Sequence, residues 1–109
     1  MTHRPFEDIK DDLQHGLVAI DDAVIELADQ DRESDIAMLL AMRARLDGDE
    51  VACVLGADTD APVVLVCRAA GVRLNGYSAI LRMRHRRGRG DRASPSALLR
   101  AYQQALEQA

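Results

Sequence analysis

Phe6, Ile9, Leu13 and Leu17 recur at steps of three and four, the spacing that lines one face of an α-helix with apolar side chains. Pro5 can open that helix, because its missing N–H costs nothing at a helix start. The stripe could run on through Ile20, Val24 and Leu27, but Gly16 and the pair Asp21-Asp22 predict a break near residues 16–21. Asp21 or Asp22 then caps a second helix reaching about residue 30.

The polar stretch Asp29-Gln30-Asp31-Arg32-Glu33 reads as a turn, and Ser34 as the N-cap of a helix carrying Ile36, Leu39, Leu40, Met42 and Leu46. Arg43 and Arg45 fall near its C-terminal end, where the helix dipole favours cations. After Asp47-Gly48-Asp49, a short helix spans Glu50 to Leu55 and ends at Gly56. Asp58-Thr59-Asp60-Ala61-Pro62 caps the next helix, with Pro62 tolerated in its first turn. Val63, Val64, Leu65, Val66, Cys67, Ala69 and Ala70 make that helix nearly all apolar, which predicts the central buried element, ended by Gly71. Val-Val-Leu-Val-Cys is also β-prone, but no second segment offers it a partner strand.

A further helix carries Tyr77, Ile80, Leu81 and Met83 and enters a basic run, in which Gly88 and Gly90 predict a flexible loop. Ser94-Pro95 reads as an N-cap with Pro at the first helical position. A last helix follows to about Gln108, with Leu98, Leu99, Tyr102 and Leu106 inward. The pattern thus predicts an all-α fold of six or seven short helices in a single domain over residues 1–109. They pack as an irregular bundle or as stacked antiparallel helix pairs.

Composition narrows the picture. Hydrophobic residues make up 48% of the 109 residues but aromatics only 3%, so the core is built from Ala, Leu, Val, Ile and Met. No apolar run approaches the roughly 20 residues that span a bilayer, and no charged-then-apolar leader opens the chain. The expected location is the cytoplasm, with Cys53 and Cys67 as buried free thiols.

Charge is lopsided. Residues 1–60 hold 16 Asp/Glu against 5 Lys/Arg, whereas residues 61–109 hold 2 acids against 9 Arg, and the whole chain carries −4. The basic excess concentrates in Arg82, Arg84, His85, Arg86, Arg87, Arg89 and Arg92. These are the candidate binding residues, because guanidinium forks grip phosphate and carboxylate in bidentate fashion. The alternative is a solvated helix end whose arginines favour the C-terminal dipole and pair with the acidic half.

Other chemistry is thin. Asp47, Asp49, Glu50, Asp58 and Asp60 lack the alternation and closing Glu of a calcium loop and read as helix caps. His3, His15 and His85 show no metal-ligand spacing. The serines lack a nucleophile elbow, and the glycines form no phosphate loop. No catalytic residue, cofactor or metal site is therefore expected.

Three stretches carry a family resemblance: Ser34-Asp35-Ile36 through Leu46, Val51-Ala52-Cys53-Val54-Leu55, and Leu65-Val66-Cys67-Arg68-Ala69-Ala70-Gly71-Val72. With Ile80-Leu81-Arg82-Met83-Arg84 and Leu98-Leu99-Arg100-Ala101-Tyr102, they resemble the bacterial, mainly alphaproteobacterial, domain of unknown function numbered 2336. The resemblance spans residues 22–106 and is sharpest at Cys67-Arg68-Ala69-Ala70-Gly71. This chain departs in being short and in carrying Val72 where Leu is commoner. The resemblance implies an all-α, HEAT-like arrangement and no activity.

Two functions compete. One is a non-catalytic protein–protein interaction or adaptor module, taking a protein partner or forming a homodimer through complementary acidic and basic faces. The other is a nucleic-acid-binding regulator using residues 82–92. The acidic balance and the lack of aromatics beside the run count against it.

Overall fold

A computed structural model describes residues 4–90 and 95–107. Among them are seven helices and no strand: α1 (Phe6–Gln14), α2 (Ile20–Asp29), α3 (Glu33–Ala44), α4 (Gly48–Gly56), α5 (Ala61–Ala69), α6 (Leu74–Arg86) and α7 (Pro95–Glu107). The break after Gly16 and the helical state of the Val-rich segment are as the sequence predicts. The Ser34 and paired-Asp caps are not. α2 is entered from Ala19, and α3 begins at Glu33 behind Arg32, whose Nε bonds Asp35 at 2.9 Å. Ser94, the expected cap of α7, lies outside the described residues.

One core collects side chains from every helix. Ile9 and Leu13 of α1 meet Val24 and Leu27 of α2, Ile36, Leu39 and Leu40 of α3, and Val51 and Leu55 of α4. Val63 and Cys67 of α5, Ile80 and Met83 of α6, and Tyr102 of α7 complete it. α2 packs most closely on α6, and α3 on α4 and α5. A linear stack of helix pairs touches only nearest neighbours, so the closure of α2 on α6 makes an irregular bundle.

The central element is α6, not α5. Seven α6 residues from Gly76 to Arg84 are buried. α5 turns only Val63, Val66 and Cys67 inward and leaves Leu65 66% exposed. Its apolar run had concealed an outer face, because a helix against one side of a core needs only one apolar stripe. Cys67 is buried as expected, but Cys53 is exposed. Of the apolar residues assigned to the third helix, Met42 and Leu46 are 41% and 44% exposed.

Helix ends follow one device. In α2, α5 and α6 the chain past the C-cap turns left-handed, and two backbone N–H groups reach back to the last turn. In α2, Arg32 N bonds Leu27 O at 3.0 Å and Asp31 N bonds Ala28 O at 3.0 Å; in α6, Arg89 N bonds Arg84 O at 2.8 Å and Gly88 N bonds His85 O at 3.0 Å. The segment at Gly88 is thus a left-handed turn closed by two backbone hydrogen bonds. It delivers the following backbone, Gly90, against Asp60.

Candidate interaction surface

α6 places Arg84 on the face that also carries Tyr77 and Ile80, so this guanidinium enters the core and is 0% exposed. Such burial requires partners for a charge removed from water. They come from the junction of α4 and α5. Leu55 O and Thr59 O accept from Arg84, the latter at 3.0 Å, and Asp60 Oδ1 pairs with Nη2 at 3.2 Å. Leu55 lies in the last turn of α4, where carbonyls lack intrahelical donors. Asp60, at the N-cap of α5, makes no capping bond there and turns to Arg84 instead. A Cβ at Gly90 would stand 3.3 Å from Asp60 Oδ1, at a backbone φ of +115° that side chains rarely adopt. Gly90 therefore lets the turn close over the buried pair.

The neighbouring arginines fold back on the acidic half. Arg86 Nη2 donates to Ala28 O at 2.8 Å and Asp31 Oδ1 at 3.0 Å, closing the end of α2. Glu33, at the start of α3, holds Arg87 Nε at 3.1 Å with one oxygen and Arg89 Nη1 with the other. Four of the seven sequence candidates, Arg84, Arg86, Arg87 and Arg89, are thus joined within the chain, and the bipolar charge pattern is an internal seam. Arg82 and His85 face solvent beside Leu81 and Arg86, around an apolar recess of about 260 Å³, with no acidic partner among the described residues. Arg92 lies outside the described residues.

Of the acids read as helix caps, Asp47 takes the N-cap position of α4 but makes no side-chain cap bond. Asp49 and Glu50 lie in the first turn of α4, and Asp60 belongs to Arg84. Among the described residues no group of three metal-ligating side chains is brought together.

A second surface was not singled out from sequence. α3 exposes Met38 (50%) and Met42 one turn apart, continued by Leu46 beyond the helix end. Beside them a groove of about 410 Å³ opens between α3 and α4, lined by Ser34, Ala37, Met38, Asp47, Asp49 and Ala52. The signal lay in the spacing. Met38, Met42 and Leu46 recur at steps of four, on the other side of the helix from Ile36 and Leu40.

No helix among the described residues is long and apolar enough to cross a membrane. No protein-family model, curated protein or solved structure matches the chain. Its geometry defines an all-helical bundle with an internal charge seam at one side and an exposed apolar stripe on α3.

Proposed function

We propose that this chain is a cytoplasmic, non-catalytic protein-interaction module whose contact face is the outer side of α3. One observation carries this reading: Met38 and Met42, one turn apart on α3, are large apolar side chains exposed to water, and Leu46 just past the helix end is exposed as well. Clustered exposed apolar groups mark interaction sites more often than isolated ones do. Methionine suits such a face, being flexible and polarizable enough to adapt to a partner. The two free thiols fit a reducing compartment. Self-association through acidic and basic faces loses its support, since those faces already meet inside one chain. The nucleic-acid alternative loses the same arginines.

The test is affinity capture with the wild-type chain and a Met38→Glu/Met42→Glu variant, each first shown to be folded by circular dichroism. A protein retained by the wild type and lost by the variant supports the reading. An identical set of retained proteins for both overturns it.

A further inference from the structure

We infer that the groove between α3 and α4 receives a basic amphipathic helix of a partner protein, an inference that rests on the interaction reading above and names its partner. The groove is lined by the apolar Ala37, Met38 and Ala52 together with Ser34, Gly48 and the two acids Asp47 and Asp49. Met38 and Met42 are separated by one turn, about 6 Å along the axis, which matches side chains four apart on a second helix.

Charge selects the partner. Asp12, Glu26, Asp31, Glu33, Asp35 and Asp60 all hold an arginine of the chain. Asp47, Asp49 and Glu50, like Asp8, Asp11, Asp22, Asp29 and Asp58, are exposed and hold none among the described residues, and of these Asp47 and Asp49 line the groove. The dipole of α4 favours acids in its first turn, but it leaves their outward oxygens available to an incoming cation. An apolar helix face flanked by Lys or Arg meets both features at once. Like charge over Asp47 and Asp49 would be excluded by repulsion.

The experiment titrates the isotopically labelled full chain with two synthetic helical peptides, each about four turns long. They share one leucine stripe, and their polar faces carry Lys in one and Glu in the other. The expected result is that the Lys peptide shifts the amides of Met38, Asp49 and Ala52. Affinity should fall about tenfold for the Glu peptide, for Asp47→Asn/Asp49→Asn, and at high salt. Ala52→Arg, at an exposed position, should abolish binding while leaving the fold intact.

Equal binding of the two peptides overturns the charge selection, and no shift with either overturns the groove. A dimer of the chain alone that Ala52→Arg dissociates assigns the groove to a second copy and overturns the inference as well. In the first two of these outcomes the α3 reading still stands or falls on the capture experiment, so the two failures are distinguishable.

Discussion

Asp21 of α2 caps the start of α6: its carboxylate accepts from the backbone N–H of Arg73 and of Gly76, each at 2.7 Å. Arg73 occupies the N-cap position and makes no side-chain cap bond of its own. The acid that local reading assigned to its own helix thus serves another, across 55 residues of chain.

Asp21→Ala should therefore destabilise the protein by about 2 kcal/mol, the upper range for an N-cap, and Asp21→Asn by less. Urea denaturation followed by circular dichroism measures both. A loss for Asp21→Ala within about 0.5 kcal/mol, as at an ordinary surface site, would refute the remote cap.

Gly76→Ala separates propensity from packing. Inside an exposed helix the change gains about 1 kcal/mol. Here a Cβ would stand 2.7 Å from Val72 Cγ1 and 3.0 Å from Asp21 Cγ. Val72 is fully buried and β-branched, so it cannot swing aside. Overpacking of this kind costs about 1–3 kcal/mol. The net effect should be a lower thermal midpoint, and a higher one would show that α2 and α6 can separate cheaply.

Arginines of the basic run should differ sharply. Arg84→Ala removes the buried partner of Asp60 and the donor to the Leu55 and Thr59 carbonyls, and breaking a buried pair costs about 3–5 kcal/mol. Arg86→Ala removes a half-exposed contact with Asp31, and such pairs contribute about 0–1 kcal/mol. Denaturation of the two variants should place them at opposite ends of that range. Similar losses would mean that the run acts as one surface patch.

The cysteines predict a chemical contrast. Cys53 is exposed and should react with a thiol reagent in the native protein, while Cys67 should react only on unfolding. Burial pushes the Cys67 thiol from 9.0 up to about 12. Between those values the unfolded chain releases a proton that the native state keeps, so stability is full below pH 9.0 and falls as pH rises toward 12. Burial raises the Tyr102 hydroxyl in the same direction. Unfolding measured across this alkaline range should lose part of its slope in Cys67→Ala, and an unchanged slope would exclude Cys67 as its source.

Tyr102 ties α7 to the bundle. Its ring stacks on Tyr77 with centroids 4.1 Å apart, and its hydroxyl donates to Val72 O at 2.6 Å. Tyr102→Phe keeps the stack and should cost about 1 kcal/mol. Tyr102→Ala should cost about 3–5 kcal/mol and expose α7 to limited proteolysis. Equal losses would assign the whole contribution to the hydroxyl.

What was legible in the sequence was what acts within one helical turn. Ile9 and Leu13, Val24 and Leu27, and Ile36 and Leu40 declare their inward faces by spacing, and Gly16 and Gly71 mark helix ends that the structure keeps. The candidate surface was legible only as a composition: an arginine run and an acidic half. Met42 and Leu46 lie in water although apolar, because the segment is apolar on more than one side, and periodicity cannot say which side the rest of the chain will cover.

By itself the sequence determined an all-α chain of short helices, because left-handed turns and apolar stripes are set by residues no more than about four positions apart. The tertiary structure alone decided which charges are spent. Asp60 and Arg84 are 24 positions apart, and Glu33 and Arg89 are 56 apart. Each pair exists only because the packing of α2, α3 and the α4–α5 junction around α6 brings its members together. The same packing covers Ile36 and Leu40 and leaves Met38, Met42 and Leu46 in water. Burial belongs to the assembled bundle, and no single helix can encode it.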